Sequence, residues 1–219
     1  MEPLECPSFL TRLERRAWEF AVEAHGEQRR KVTNEPYVKH LERVAHTVKE
    51  FDGTTGMVMA ALLHDVLEDT PVKSHELKTF LKDICEDTEA DAQQVLLWVQ
   101  ELTDQFVKSA YPGHNRKRRK EMEVQRLSKI SLPAQAIKLA DIIDNTRDIA
   151  KNDRSFAKVY IPEILALVEV LRNAQPFRLY LLACYEVQKA LLIINKKKEP
   201  EPLEPPLIET QKQQVPGKE

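Results

Sequence analysis

The sequence is poor in glycine and has no long apolar run, and each shortage narrows the choice of fold. Only 5 of the 219 residues are glycine, whereas Leu, Ala, Glu, Lys, Arg and Gln are abundant. This balance disfavours short strands joined by glycine-rich turns and favours helices, so we predict an all-α fold. No segment approaches the roughly 20 consecutive apolar residues of a membrane-spanning helix. We therefore expect no membrane association.

Cysteine is also scarce, and positive charge is not in excess. Cys6, Cys85 and Cys184 are widely separated and form no Cys-x-x-Cys motif, which argues against a cysteine-based metal or redox site. The N-terminus lacks the basic start and apolar stretch of a secretion signal, so we expect a cytoplasmic protein. The net charge of −2 provides no overall basic field, so we expect no nucleic-acid partner. The sequence does not indicate an oligomeric state.

The remaining pattern is that of amphipathic helices. Apolar residues recur at spacings of three and four, and Ser, Thr, Asp or Asn often precede the segments that show this pattern. Residues 57–67 are apolar almost all round, so we predict that they form one buried central helix. The other predicted helices cover approximately 8–25, 37–49, 74–80, 89–102, 115–129, 133–148 and 161–194. The last of these is expected to be interrupted near Pro176, because proline removes a backbone donor.

The length suits one domain, which we assign to residues 8–195. Residues 196–219 are rich in Pro, Glu, Lys and Gln and contain few apolar residues. Such a segment cannot bury enough surface to fold alone, so we predict a disordered tail, which a partner could bind.

The most informative feature is the pair His64-Asp65 inside the apolar run AALLHDVLEDT. Burying ionisable side chains is costly unless a metal ion or a partner group compensates them. If the helix is continuous, Glu68 lies one turn from His64 and Asp69 one turn from Asp65. This grouping favours a metal site, although a lone buried histidine is more often structural.

Two further residues occur in similar settings, His40 in PYVKHL and Asp141 in AIKLADIID. Two histidines and two carboxylates would suit Mn²⁺, Fe²⁺ or Zn²⁺, and the carboxylates favour the harder ions. Spacing alone does not choose among these metals.

Four motifs resemble, in their order, the hydrolase domain of the RelA/SpoT family and its small stand-alone relatives, which belong to the HD superfamily. They are Arg29-Arg-Lys31, Glu35-Pro-Tyr-x-x-His40, His64-Asp-x-x-Glu-Asp-Thr70 and Lys138-Leu-Ala-Asp141-x-x-x-Asn145-x-Arg147. The resemblance covers approximately residues 10–170. It implies a single HD-domain helical bundle that hydrolyses the 3′-diphosphate of (p)ppGpp, a small-molecule nucleotide, with one Mn²⁺ ion.

The same resemblance implies a role for each motif residue. It makes metal ligands of His40, His64, Asp65 and Asp141. Glu68 and Asp69 match the family's catalytic pair, which positions or activates the attacking water, although a solvated helix end would also carry such residues. Six residues are expected to bind substrate: Arg30, Lys31, Arg116, Asn145, Arg147 and Lys158. Exposed basic surfaces are the alternative interpretation for Arg30, Lys31 and Arg116.

Some positions depart from the family pattern. Leu41 stands where a proline is usual. In Asp141-Ile-Ile-Asp144, the family more often has a basic residue beside the aspartate and a His or Tyr before the asparagine. An acidic Asp144 beside the phosphates would repel a polyphosphate. The substrate could therefore be another phosphorylated nucleotide such as NADPH. A non-catalytic HD-fold protein that senses a nucleotide or recruits a partner is the other alternative, but Glu68 and Asp69 favour an enzyme. The motifs assign no role to the four remaining histidines, which are His25, His46, His75 and His114.

Overall fold

A computed structural model describes residues 4–86 and 91–195, and its fold is all-α. This confirms the predicted fold class. The helices of the described ranges are α1 (Arg12–His25), α2 (Val38–Glu50), α3 (Thr55–Leu63), α4 (Val66–Asp69), α5 (Ser74–Cys85), α6 (Ala92–Leu102), α7 (Arg116–Leu127), α8 (Leu132–Asn152), α9 (Arg154–Val170) and α10 (Phe177–Ile194). The tail predicted over 196–219 lies outside the described residues, and the domain boundaries remain a prediction.

Helices α3 and α8 form the centre of the bundle. α3 has no polar face and packs against α1, α2 and α6, while α8 packs against α2, α9 and α10. A helix that is apolar all round is stable only when other elements cover it on every side. The polar residues at the end of α3 and in the middle of α8 are therefore carried into the core.

The start and end of α1 follow from local capping. The Thr11 hydroxyl accepts a hydrogen bond from the Glu14 N–H, and the Glu14 carboxylate accepts one from the Thr11 N–H at 2.8 Å. This reciprocal pair is a capping box, so the helix begins after Thr11 and not after Ser8. It ends at Gly26, whose φ of 52° is in the left-handed region that glycine adopts readily.

The prediction of one central helix over 57–67 is wrong. The chain forms α3 and α4 with His64 and Asp65 between them. His64 Nδ1 lies 2.8 Å from the Ala61 carbonyl oxygen, which would otherwise accept the helical bond from the Asp65 N–H. A side chain that takes up a helix carbonyl in this way competes with the backbone hydrogen bonds. The break turns His64 and Asp65 together towards one point.

The C-terminal helices also differ from the prediction over 161–194. α9 begins earlier than expected, at Arg154, where the Asp153 carboxylate accepts a hydrogen bond from the Phe156 N–H at 2.9 Å. The chain then leaves the helix after Val170 and resumes at Phe177, directly after Pro176. The expected interruption near Pro176 is therefore present. No helix in the described ranges has the length and apolarity needed to cross a membrane.

The turn between α2 and α3 contains Gly53, and we predict that an alanine is tolerated there less well than at Gly113. A Cβ atom at Gly53 would collide with Val48 Cγ1 and lie 2.7 Å from the Val48 carbonyl oxygen, which accepts the Gly53 N–H. Because this oxygen cannot move without losing that bond, Gly53→Ala should lower the free energy of unfolding by about 1–3 kcal/mol. Urea denaturation measures the change.

Gly113 provides the matched control, since a Cβ atom there meets nothing within 4 Å. Gly113→Ala should change the free energy of unfolding by no more than about 0.5 kcal/mol. Equal stability of the two variants would contradict the described turn.

Candidate metal centre and adjoining cavity

Four of the predicted site residues converge in the core from three parts of the fold. His40 lies in the first turn of α2, His64 and Asp65 lie at the junction of α3 and α4, and Asp141 lies in α8. The exposed fractions of His40, His64 and Asp141 are only 1%, 2% and 5%. Groups this polar are rarely buried without a compensating partner.

The distances among these side chains suit ligands of one ion. His64 Nε2 lies 3.1 Å from Asp65 Oδ2, and His40 Nε2 lies 3.3 Å from Asp141 Oδ1. The two crossed distances, from His40 Nε2 to Asp65 Oδ2 and from His64 Nε2 to Asp141 Oδ1, are 3.7 Å and 3.8 Å. Nitrogen and oxygen ligands about 2.1 Å from a shared ion lie roughly 3.0–3.4 Å apart. His40, His64 and Asp65 could thus hold a metal ion, and Asp141 is near enough to join them.

Both imidazole rings are held with Nε2 towards this point. His40 Nδ1 lies 2.6 Å from Asp144 Oδ2, and His64 Nδ1 lies 2.8 Å from the Ala61 carbonyl oxygen. The Ala61 carbonyl oxygen can only accept a hydrogen bond, and so can the Asp144 oxygen while that carboxyl is ionised. Each neutral ring therefore carries its proton on Nδ1 and its lone pair on Nε2. His64 Nε2 is buried and has no hydrogen-bond partner among the described residues. A divalent metal ion therefore fits this donor set.

The electrostatics of the cluster agree with this fit. Burial by itself would lower the pKa of His40, but its hydrogen bonds with Asp141 and Asp144 outweigh burial and raise that pKa. Burial likewise opposes a charge on His64, yet the nearby negative charges of Asp65 and Asp141 raise the pKa of His64. The carboxylates thus favour positive charge at this point, and a divalent cation would supply it with both rings neutral.

Asp144 lies against His40 and Arg43, whereas the sequence suggested a position beside the substrate phosphates. One carboxylate oxygen accepts from His40, and the other accepts from Arg43 Nε at 2.6 Å. Although burial opposes ionisation, these two partners hold the pKa of Asp144 below its usual value. Asp144 therefore orients a candidate ligand while Arg43 balances its charge, so the expected repulsion of a polyphosphate does not follow.

A cavity of about 300 Å³ adjoins the cluster. It lies between α4, α7, α8 and α9, and the carboxylates of Asp65 and Asp141 reach its wall. The other polar and aromatic residues that line it are Tyr37, Glu68, Asp69, Asp104, Arg116, Lys120, Glu123, Lys138, Asn145, Phe156, Tyr160 and Glu163. The cavity combines charged groups with an aromatic wall, as sites for polar small molecules do.

Both predicted catalytic carboxylates lie at this cavity. Glu68 Oε2 accepts a hydrogen bond from the Asp104 N–H at 2.9 Å. Crowding by surrounding protein atoms and the charge of Asp104 raise the pKa of Glu68 to about 7, although the residue keeps solvent contact. Asp69 Oδ2 accepts from Gln28 Nε2 at 3.4 Å. A carboxylate that titrates near neutrality can accept a proton under ordinary conditions.

Three of the predicted substrate contacts lie at the cavity or directly behind its wall. Arg116 lines it and pairs with Glu163 through two bonds of 2.8 Å and 2.7 Å. Asn145 lines it too and accepts from Arg30 Nη1 at 2.9 Å, while Arg30 Nη2 lies 2.7 Å from Asp148. Arg30 is therefore held in place through Asn145, a residue of the cavity wall.

Arg147, Lys158 and Lys31 are not brought to the cavity. Arg147 follows Asp141 by six residues, about 120° away around the helix, and pairs with Glu186 at 2.7 Å. Lys158 is exposed on the face of α9 opposite Tyr160, and Lys31 is exposed on the loop after α1. The helices that carry Arg147 and Lys158 do border the cavity, but the helix period directs these two side chains away from it.

Several residues at the site were not predicted from the sequence. Tyr37 donates its hydroxyl to Asp65 Oδ2 at 2.8 Å, and Lys138 Nζ lies 2.9 Å from Asp141 Oδ2. Both stand inside the quoted motifs, which could have drawn attention to them. Lys120 ends the basic run 116–120, whereas its partner Asp104, at 3.0 Å, carries no comparable signal.

Comparisons with known proteins agree with this geometry. An HD domain family model matches residues 17–176. Guanosine-3′,5′-bis(diphosphate) 3′-pyrophosphohydrolase MESH1 of Drosophila melanogaster is 36% identical over 137 residues, which are 61% of this chain and 68% of that protein. The guanosine-3′,5′-bis(diphosphate) 3′-pyrophosphohydrolase of Aquifex aeolicus is 51% identical over 63 residues, which are 29% of this chain and only 9% of that longer protein.

A solved structure is similar over most of the chain. It is described as a metazoan ortholog of SpoT that hydrolyzes ppGpp and plays a role in starvation responses. Its TM-score is 0.68 at 26% sequence identity, and the match covers 83% of this chain and 97% of that one.

The contact between Asp144 and His40 leads to a prediction about metal affinity. Asp144→Asn keeps the shape of the side chain but removes the charge that orients His40, so the affinity for Mn²⁺ should fall roughly 10–100-fold. Titration calorimetry measures this affinity without any substrate. Asp83→Asn, at an exposed carboxylate of α5, is the control and should bind Mn²⁺ like the unaltered protein. Unchanged affinity in Asp144→Asn would refute the orienting role.

Proposed function

The chain belongs to the HD domain family, and on that basis we propose that it is a metal-dependent phosphohydrolase that removes the 3′-diphosphate from (p)ppGpp. One observation carries the proposal: two oriented histidines and two carboxylates meet at the wall of a cavity that also holds Glu68 and Asp69. The activity for which the similar proteins are named supports the choice of nucleotide. We also propose that the enzyme acts in the cytoplasm, because three widely separated cysteines suit a reducing compartment.

The proposed cofactor is one Mn²⁺ ion, with His40, His64, Asp65 and Asp141 as ligands. The mixed nitrogen and carboxylate donor set supports Mn²⁺, because carboxylates favour the harder divalent ions. Such an ion supplies Lewis-acid activation of water and of the phosphoryl group when it is bound. Lys138 contributes by holding Asp141 Oδ2 at 2.9 Å, which leaves Oδ1 towards the histidines.

Glu68 and Asp69 are the proposed proton acceptors for the attacking water. The Asp104 N–H holds Glu68 Oε2, and crowding by protein atoms together with the charge of Asp104 raises the pKa of Glu68 to about 7. An acceptor with a pKa near the working pH is deprotonated often enough to act and basic enough to take the proton. Glu68 takes the proton from water, and Asp69 aligns the water for attack on phosphorus.

The cavity wall offers complementary groups for a phosphorylated nucleotide. Arg116 and Lys120 lie along α7 and can exchange their carboxylate partners, Glu163 and Asp104, for phosphate oxygens. The Phe156 and Tyr160 rings form an apolar wall, and the Arg30 guanidinium lies 6.0 Å from the centre of the Tyr37 ring. Guanidinium planes and aromatic rings both stack on purines, which supports a purine nucleotide as substrate.

A panel of phosphorylated nucleotides tests the proposal. The Mn²⁺-loaded protein should release diphosphate from ppGpp faster than it releases phosphate from NADPH or other nucleotides. Asp65→Ala should lose Mn²⁺ binding and at least about 10³-fold in kcat/KM, because it removes a ligand and the partner of Tyr37. Release of diphosphate or phosphate measures turnover, and calorimetry measures Mn²⁺ binding. No turnover of any nucleotide by the metal-loaded protein would refute the proposed function.

The role of Glu68 generates a separate prediction. Glu68→Gln keeps the bond from the Asp104 N–H but cannot accept a proton, so kcat should fall about 10²–10⁴-fold. Affinity for Mn²⁺ and KM should stay within about threefold of the unaltered enzyme, since Glu68 is not among the proposed ligands. Steady-state kinetics and calorimetry separate these effects. A variant that retains its full kcat would exclude Glu68 as the proton acceptor.

A further inference from the structure

His25, to which the motifs assign no role, lies against the candidate site without being one of its ligands. It is the last residue of α1, and only 5% of it is exposed. Its Nε2 is buried and has no hydrogen-bond partner among the described residues. An unsatisfied buried nitrogen costs stability, so its presence calls for an explanation beyond packing.

The other ring nitrogen of His25 leads to a catalytic carboxylate. Nδ1 lies 2.8 Å from Gln28 Oε1, and Gln28 Nε2 donates to Asp69 Oδ2 across 3.4 Å. An ionised Asp69 only accepts, so the amide must point its NH₂ group at Asp69 and its oxygen at His25. The His25 proton is therefore on Nδ1, and the ring and the amide form a directed chain that ends at Asp69.

The face of the same ring supports Tyr37. The two ring centroids are 4.9 Å apart with an interplanar angle of 14°, so the rings are stacked. Tyr37 in turn donates its hydroxyl to Asp65 Oδ2 at 2.8 Å. One buried imidazole thus supports two hydrogen bonds to acidic groups, one through Gln28 and one through Tyr37.

The backbone fixes these three residues relative to one another. The Gln28 N–H donates to the His25 carbonyl oxygen, and the Tyr37 N–H donates to the Gln28 carbonyl oxygen, each at 2.9 Å. Gly26, with its φ of 52°, lets the chain turn sharply between His25 and Gln28. The spacing of the three side chains is therefore set before any ligand binds.

We propose that His25 is a positioning residue for hydrolysis, which aligns Asp69 through Gln28 and steadies Asp65 through the stacked ring of Tyr37. This inference rests on the proposed function. His25 touches neither the metal position nor the substrate cavity, and it acts only through these two neighbours. The hydrogen-bond path serves the attacking water, whereas the stacking path serves the metal ligand, so substitutions can separate them.

Two substitutions at His25 divide the two paths. His25→Phe keeps a ring against Tyr37 but loses the donor to Gln28, so kcat should fall about 10–100-fold with KM and Mn²⁺ affinity within about threefold. His25→Asn keeps an amide N–H near the Nδ1 position but loses the stacked ring. It should keep kcat within about threefold at saturating Mn²⁺ and bind Mn²⁺ several-fold more weakly. A purely structural role would lower both quantities in both variants.

A double-mutant cycle tests the hydrogen-bond path directly. If His25 acts through Gln28, then Gln28→Ala should lose as much kcat as His25→Phe, and the double variant should lose no more than either. Additive losses would overturn the proposal, as would a kcat within twofold of the unaltered enzyme in His25→Phe. His75→Phe, at an exposed histidine of α5, is the matched control and should change neither kcat nor Mn²⁺ affinity.

The Mn²⁺ titrations keep this proposal distinct from the proposed function. They need no substrate, and Tyr37→Phe and His25→Asn should both weaken binding if the stacked pair steadies Asp65. Unaltered Mn²⁺ affinity in both variants would overturn the stacking path. If the unaltered protein turned over no nucleotide, the proposed function would fail, and the titrations would still decide the stacking path.

Discussion

Burying ionised groups in an apolar bundle is the constraint around which this structure is organised. His40, His64 and Asp141 are nearly inaccessible to water, and charged groups in such a place are tolerated only when they compensate one another. Oppositely charged neighbours provide this compensation. The carboxylates face the imidazoles, Lys138 faces Asp141, and Arg43 faces Asp144. The helices that supply these residues are therefore bound to one another through the site as well as through apolar packing.

The sequence revealed the centre of this arrangement better than its surroundings. His40, His64, Asp65 and Asp141 stood out because they are ionisable residues in apolar segments, and the motif order implied a ligand role for each. The break after α3 could not be predicted, since it depends on the bond from His64 to the Ala61 carbonyl. The partnership of Asp144 with Arg43 joins residues 101 positions apart, which no local pattern indicates.

Arg147 and Lys158 do not line the cavity beside which the family resemblance placed them. Helical periodicity already puts Arg147 on a different face from Asp141 and Asn145. Asn145 follows Asp141 by one turn and reaches the cavity, as that periodicity requires. In α8, the helix period and not the motif decides which side chains reach the cavity. The loop after α1 adds contacts that no charge pattern indicated, since Gln28 Nε2 donates to Asp69 and the Tyr37 hydroxyl donates to Asp65.

The charge of the cavity has a consequence for the order in which the complex assembles. Among the described residues, its wall carries seven carboxylates and only three cations, and Lys120, Arg116 and Lys138 already face Asp104, Glu163 and Asp141. A polyphosphate approaching such a surface meets a negative potential, which slows its entry. Binding of a divalent cation first would reduce this excess of negative charge at the inner end of the cavity. The metal would then act as an entry requirement as well as a catalyst, so that nucleotide capture follows the supply of the ion.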